Sequence, residues 1–319
     1  MKQTGNNRIQ YLDIARIIAL CWIVGWWHLI QYSGPSYKTL YKFLGSENIT
    51  VLMLALFIFL SGYMIGRKAM STKEEVLSFY KKRFQRFYIL FALAIITFPL
   101  TGYNKELSII LTTLTATSTY ILPQPVTLWF LSMLASFYIF SPFIKYRKGL
   151  GGAIVFLLIL VCDLAIPSGI DQRFYMYYPT YCVGLFLSSN QSVERIISSN
   201  LTGLILIAIT SCLYFVVNSS SALKYIYLAT GICSLLFIAK KIENESISRI
   251  VNFVAYSSMC AYLFHRHIYT GLSIVLSYLG IEGDIPAWVL VVTFFPICII
   301  ISYYIQSSYD LFLRKTKKH

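Results

Sequence analysis

Apolar runs of nearly twenty residues recur along the whole chain, and they constrain the fold more than any other feature of the sequence. A run of that length, wound as an α-helix, spans the roughly 30 Å hydrocarbon core of a bilayer. Only 13% of the residues are charged, far fewer than a soluble domain of this size needs to cover its surface. The sequence therefore predicts an all-α, polytopic membrane protein.

We predict about ten membrane-spanning helices, with approximate bounds 10–31, 50–66, 87–102, 127–144, 151–167, 174–189, 201–218, 222–239, 251–271 and 286–308. The segment 107–122 is also apolar but rich in Thr and Ser, and we interpret it as a lumenal or re-entrant segment. With both termini cytoplasmic, 20 of the 27 basic residues fall in cytoplasmic loops and tails, and five fall in outer loops. This distribution obeys the positive-inside rule. We expect one transmembrane domain over residues 1–319.

The net charge of +14 is concentrated in these loops. Loop charge of this kind indicates topology and contact with anionic membrane lipid or an anionic cytoplasmic substrate, and it does not point to a nucleic-acid partner. The seven cysteines fall in apolar segments without a CxxC pair, so we expect no disulfide framework and no metal site. His265 and His267 lie about 200° apart around a helix, which also argues against a shared metal ion.

The first span, ARIIALCWIVGWWHLI, carries Arg16 and His28 in an otherwise apolar run, with Asp13 just upstream. A charged side chain at mid-depth costs roughly 2.5–3.5 kcal/mol on insertion scales unless it is paired or faces water. Arg16 can snorkel to the inner boundary, pair with Asp13, or hold an anionic ligand. His28 lies about 18 Å further along the axis, near the outer side of the bilayer. There it can accept a proton from a hydroxyl or belong to an interfacial aromatic belt.

A cationic cluster follows the second span, in the segments LFIFLSGYMIGRK and SFYKKRFQRFY, and its members are Arg67, Lys68, Lys81, Lys82, Arg83 and Arg86. Aromatic residues interleave with the second group of charges, an amphipathic pattern that can lie on anionic lipid. Guanidinium and ammonium groups can equally bind the phosphates of a nucleotide-bearing substrate. The sequence contains no GxGxxG or P-loop motif that would form a dedicated phosphate cradle.

Taken in order, these segments resemble the acyltransferase-3 family of integral membrane acyltransferases. The matching pieces are LDIARIIAL with a later histidine, LFIFLSGYMIGRK, KKRFQRFY, LWFLSML with Pro142 downstream, and SSMCAYLFHRH. The resemblance implies a ten-helix domain in the cell (inner) membrane, with acyl-CoA, usually acetyl-CoA, as donor. It also implies that the acceptor is a hydroxyl of a cell-surface polysaccharide, peptidoglycan or glycolipid.

The resemblance assigns roles to residues as well. Arg16 and His28 correspond to the family's helix-1 arginine and histidine, and Arg67 and Lys68 to the basic pair after its helix 2. His28 is then a general base or a transient acyl carrier, and Arg16 orients the donor. The cationic cluster binds the phosphates of acyl-CoA. The rival interpretation is a ten-helix permease or lipid-linked sugar transporter, in which Arg16 and His28 line a translocation path.

The spacing within the first span departs from the family pattern. The family usually places ten residues between the arginine and the histidine, whereas here eleven residues separate Arg16 from His28. At 100° per residue, the usual offset leaves the two side chains about 20° apart on a regular helix, and the offset here leaves them about 120° apart. Either a π-bulge near Gly25 absorbs the extra residue, or Trp27 takes the place of the histidine.

Overall fold

The computed structural model describes residues 9–33, 46–121, 124–165, 169–188, 195, 197–281 and 285–316, and there is no β-strand among them. The prediction of an all-α protein built for a membrane is confirmed. Within those residues, seven helical segments are long and apolar enough to cross a bilayer. They are Gln10–Tyr32, Glu47–Gly66, Lys73–Thr101, Asn200–Ser219, Ser221–Ile242, Glu245–Tyr278 and Ala287–Thr316.

Two of these segments contain a π-helical turn. The first consists of α1 (Gln10–Trp22), a π-helical turn at Ile23–Trp27 and a 3-10 turn at Leu29–Tyr32. After α2 (Ser46–Gly66), the third consists of α3 (Lys73–Arg83), a π-helical turn at Phe84–Tyr88, α4 (Ile89–Thr97) and a 3-10 turn at Phe98–Thr101. The α-helices that follow are α5 (Leu107–Leu114), α6 (Trp129–Tyr146), α7 (Lys148–Ala165), α8 (Arg173–Leu187), α9 (Asn200–Val216), α10 (Ser221–Ile242), α11 (Ser248–Tyr278) and α12 (Ala287–Thr316).

The other three predicted spans coincide with α6, α7 and α8, which are shorter or more polar than the seven. α8 has 15 residues, so it is only about 22 Å long. α6 includes three serines and Lys145 among its 18 residues, and these lower its mean hydropathy. The total of ten spans and the cytoplasmic side of both termini therefore stay predictions. Residues 1–8 and 317–319, and the predicted span ends at 167 and 189, lie outside the described residues.

The segment 107–122 does not form one long helix. α5 has eight residues, and a helix of that length covers about 12 Å, less than half of the hydrocarbon core. Turns follow it as far as Ile121, because the backbone N–H groups of Ala116 and Tyr120 donate to carbonyls three residues earlier. A segment folded in this way cannot cross a bilayer as a single helix, which agrees with the expectation from its Thr and Ser content.

The chain divides into two compact units. Unit 1 comprises Met1–Phe57, Val193–Tyr262 and Leu276–His319, and unit 2 comprises Ile58–Ser192 and Leu263–Val275. In unit 1, α10 packs against α1 and α9, and α12 contacts both the π-helical turn and the 3-10 turn of the first segment. In unit 2, α6 packs against α7 and α8.

Small residues allow a close approach of α2 and α8 within unit 2. A Cβ atom on Gly62 would overlap the carbonyl of Tyr181, and one on Gly184 would overlap the carbonyl of Phe59. Close backbone contact of this kind stabilises helix pairs in lipid, where the hydrophobic effect does not drive association. The Tyr181 hydroxyl and the Ser141 Oγ, 2.5 Å apart, connect α8 to α6. These contacts fix the end of α2 from which the cationic cluster begins.

Candidate functional site

The first helical segment contains the bulge that its extra residue requires. The backbone N–H of His28 donates to the carbonyl of Ile23, five residues earlier, at 2.9 Å, and residues 23–27 form a π-helical turn. A π-bulge takes up one residue more than a regular turn. The angle between Arg16 and His28 around the axis therefore falls from about 120° to about 20°. Of the two alternatives left open by the sequence, the structure contains the π-bulge.

His28 lies in an aromatic environment within unit 1. It is 8% exposed, and Trp27 beside it is half-buried. The ring of Tyr262 meets the imidazole edge to face, with centroids 6.4 Å apart. Tyr262 is itself buried and makes a second edge-to-face contact with Phe57 at 6.2 Å. Such contacts restrict the orientation of the imidazole ring. The sequence did not single out Tyr262, because nothing distinguishes it among 25 tyrosines.

The bulge is held by contacts on both sides. A Cβ atom on Gly25 would lie 3.1 Å from ring atoms of Phe295, so the absence of a side chain lets α12 approach the bulged backbone. One turn earlier, the indole N–H of Trp22 donates to Thr50 Oγ1 at 2.9 Å. The irregular turn is thus fixed by neighbours that lie far away in sequence, and only Gly25 is visible as a local signal.

Arg16 makes the ion pair that its spacing predicts. Its Nη1 lies 3.3 Å from Oδ1 of Asp13, and its side chain is 27% exposed. Asp13 is buried. A carboxylate next to the guanidinium lowers the free-energy cost of placing either charge in a membrane helix. The role of Arg16 toward an acyl donor stays a prediction.

In unit 2, the cationic cluster begins in the turn that follows α2 and continues along α3. Arg67 and Lys68 lie at the surface. A capping box then starts α3, since Thr72 Oγ1 accepts a hydrogen bond from the Glu75 N–H at 3.3 Å, and Glu75 Oε2 accepts one from the Thr72 N–H at 3.2 Å. The capping box fixes where α3 begins, and Lys81, Lys82 and Arg83 lie along that helix.

The two parts of the cluster converge on Lys68. Partial desolvation of its ammonium, together with the nearby charges of Arg83, Lys82 and Arg86, lowers the pKa of Lys68 to about 8. Lys81 is not among the charges that act on it. Like charges held close together repel one another, and a bound anion relieves that repulsion. The fold therefore brings the charges of Lys82, Arg83 and Arg86 close to Lys68.

Aromatic rings hold Arg83 in place. Its guanidinium carbon lies 4.6 Å from the ring centroid of Tyr138 in α6 and 5.8 Å from that of Phe79. Its Nε is buried and has no hydrogen-bond partner among the described residues. A guanidinium held on aromatic faces keeps its planar N–H groups oriented, and it is suited to binding a phosphate or carboxylate.

Arg266, which also lies within a predicted span, is part of α11 and belongs to unit 2. It is 1% exposed, its Nε donates to Thr127 Oγ1 at 3.2 Å, and it lies over the ring of Tyr103. On the next residue, Nε2 of His267 lies 2.9 Å from Thr97 Oγ1. These contacts compensate part of the cost of burying polar side chains in a membrane helix.

Comparison with curated proteins and with solved structures gives no match to this chain. The protein-family model described as "Acyl_transf_3: Acyltransferase domain" matches residues 9–306. The matched range contains Arg16, His28 and the whole cationic cluster, and it covers all but the two ends of the sequence. This protein therefore belongs to the acyltransferase-3 family and is a multi-pass membrane acyltransferase.

Proposed function

We propose that this acyltransferase moves an acyl group, acetyl in the simplest case, from acyl-CoA to a hydroxyl of a cell-surface polysaccharide or glycolipid. The observation that carries the proposal is the π-helical turn at Ile23–Trp27, which brings a buried histidine to the same face of its helix as Arg16. Family membership favours acyl transfer over the permease interpretation of the same two residues.

In the proposed reaction, His28 accepts the proton of the acceptor hydroxyl while that oxygen attacks the carbonyl carbon of the thioester. The carbon–sulfur bond then breaks, and the thiolate of coenzyme A leaves and takes up a proton from the imidazolium. The products are the O-acyl ester and free coenzyme A. A variant of this scheme uses His28 as a transient acyl carrier, with the hydroxyl attacking in a second step.

The donor half of the proposal rests on the cationic cluster. Acyl-CoA carries several phosphate charges, and Lys68, Lys82, Arg83 and Arg86 form a group of mutually repelling cations that a polyanion would stabilise. Charge-assisted hydrogen bonds from guanidinium groups to phosphate are among the strongest polar contacts in proteins. Phospholipid headgroups offer the same phosphate chemistry, so the test has to separate the two sources.

We also propose that the protein lies in the cell (inner) membrane with both termini and the cationic cluster in the cytoplasm, where acyl-CoA is available. The uneven distribution of basic residues supports this orientation, since 20 of the 27 fall in the predicted cytoplasmic loops and tails. A cysteine placed at position 105 or 173 should react with a membrane-impermeant reagent from outside, and one placed at 241 should not.

The decisive experiment combines a binding measurement with an analysis of glycans. Full-length protein in nanodiscs of neutral lipid should show a higher melting temperature with acetyl-CoA. In nanodiscs that contain anionic lipid, the headgroups compete with acetyl-CoA for the same cations, and only this competition should reduce the rise in melting temperature. Mass spectrometry should find an O-acyl ester on surface glycans of cells that carry the gene and should not find it after gene deletion. Identical glycans in both strains, with no stabilisation by acetyl-CoA, would exclude the proposal.

A further inference from the structure

The first two members of the cationic cluster occupy an electrostatically unfavourable position for binding an anion. α2 ends at Gly66, and Arg67 and Lys68 follow it directly. The carboxyl end of a helix carries about half a negative elementary charge and leaves its last carbonyls without partners inside the helix. A phosphate brought to Arg67 and Lys68 would approach that negative end.

Lys145 of α6 covers this helix end. Its Nζ donates to the carbonyl of Gly66 at 2.7 Å and also to the carbonyl of Lys68. The backbone N–H of Lys68 donates to the carbonyl of Ile65 at 2.9 Å. The carbonyls of Ile65 and Gly66 at the end of α2 are thus occupied, and the half-buried ammonium group of Lys145 binds one of them together with the carbonyl of Lys68 in the turn that follows. A cation in this position offsets the helix dipole and holds the turn from which Arg67 and Lys68 project.

The same helix also fixes the second part of the cluster. The Tyr80 hydroxyl donates to the carbonyl of Ile139 at 2.7 Å, and Arg83 lies over the ring of Tyr138. Both Ile139 and Tyr138 belong to α6. One helix therefore determines where the post-α2 turn lies and where α3 lies, and with them the distance between the two groups of cations.

We propose that Lys145 is a positioning residue of the anion site: it neutralises the carboxyl end of α2 and orients Arg67 and Lys68 without touching the anion. The inference rests on the proposed function, with the phosphates of acyl-CoA as the anion. Two of the three ammonium hydrogens of Lys145 are directed at carbonyls, which assigns it to the backbone rather than to the ligand.

The test measures acetyl-CoA binding to the full-length protein in neutral-lipid nanodiscs. Lys145→Met should weaken binding tenfold or more, whereas Lys145→Arg should stay within about threefold of wild type, because a guanidinium also donates to two carbonyls. Arg147→Met is the matched control. It removes the same charge two residues further on, from a side chain that lies over Tyr146. If Lys145→Met fails to fold, Lys145→Gln replaces it, since the amide keeps donors but loses the charge.

The dependence of binding on pH tests whether Lys68 contributes to the anion site as a cation. Binding should weaken as pH rises through about 8, where Lys68 loses its proton. The charged groups that act on Lys68 are Arg83, Lys82 and Arg86, and Glu75 acts on Lys145. Lys145 is not among the charges that lower the pKa of Lys68, so Lys145→Met should lower affinity and leave this midpoint in place. Recovery of affinity in Lys145→Arg separates electrostatic positioning from a general loss of structure.

The outcomes are distinguishable. If wild-type protein binds acetyl-CoA and Lys145→Met binds it as well as Arg147→Met does, the inference about Lys145 is wrong and the proposed function stands. If both Lys145→Met and Lys145→Arg lose affinity to the same extent, Lys145 is structural and the inference is likewise wrong. If wild-type protein does not bind acetyl-CoA at all, the proposed function fails, and the inference fails with it.

Discussion

The surroundings of His28 and the cationic cluster use polar side chains in opposite ways. His28 is one buried imidazole, oriented by the ring of Tyr262 and carried by a turn that departs from α-helical geometry. The cluster consists of several cations at and near the surface, and they act on one another through their charges. The proposed catalysis by His28 depends on the direction of a single side chain. The proposed anion binding by the cluster depends on the summed charge of several side chains.

The region around His28 should be highly sensitive to a single substitution, whereas the cationic cluster should lose anion affinity in steps. A buried catalytic group works only within a narrow range of orientation, and a helix that turns by one residue moves it by about 100°. Charges near water interact through a high dielectric constant, so the loss of one member of a group weakens the field of the group without abolishing it. Substitutions in the two regions should therefore produce effects of different size.

The largest expected effect is that of His28→Ala. Removing a general base lowers the rate of the catalysed step by about 10²–10⁴-fold, so the O-acyl ester should disappear from surface glycans. Binding of acetyl-CoA should persist, because the proposed phosphate site lies in unit 2. Tyr262→Phe is the matched control for this setting, since it keeps the ring that meets the imidazole. Glycans that remain fully acylated in the His28→Ala strain would remove His28 from the mechanism and leave His265 as the next candidate.

A deletion and an insertion test whether the direction of His28 is what matters. Deleting Trp27 removes one residue from the bulge, so a regular helix would keep the histidine about 20° from Arg16, and activity should largely survive. Inserting one alanine after Gly25 turns the histidine by about a further 100°, and activity should be lost. A deletion of Leu204, on the exposed side of α9, controls for damage to a helix. A Trp27 deletion that abolishes activity, together with an alanine insertion that leaves activity intact, would contradict the role of the bulge.

Smaller and additive effects are expected in the cationic cluster. Arg67→Ala and Lys68→Ala should each weaken acetyl-CoA binding by roughly 1–3 kcal/mol, as expected for the loss of a charge-assisted hydrogen bond. Lys82→Ala should weaken it more than Lys81→Ala, because Lys82, unlike Lys81, is among the charges that lower the pKa of Lys68. Titration of acetyl-CoA at two salt concentrations should show that these losses shrink as salt rises. If all four variants bind acetyl-CoA as tightly as wild type does, the cluster is only a signal of membrane orientation.

Much of the architecture and part of the candidate site could be read from the sequence. Hydropathy is a local property, so the apolar runs predicted a membrane protein, and the positions of most helices agree with them. The Asp13–Arg16 pair was predictable because an i, i+3 spacing on a helix brings two side chains together whatever surrounds them. The Thr and Ser content of 107–122 likewise indicated that this segment is not a span.

The sequence by itself determined the class of protein, its family resemblance and the chemical types available for catalysis and anion binding. The tertiary structure decided where those groups point. Whether the extra residue in the first span formed a bulge depended on Phe295 packing against Gly25, a contact between segments 270 residues apart in the chain. Lys145 counted as one more basic residue at the end of a span until the fold placed its ammonium on the carbonyls of Gly66 and Lys68. The physical reason is the same in both cases: residue type and spacing are local, whereas the direction of a side chain depends on which distant backbone groups and rings pack against it.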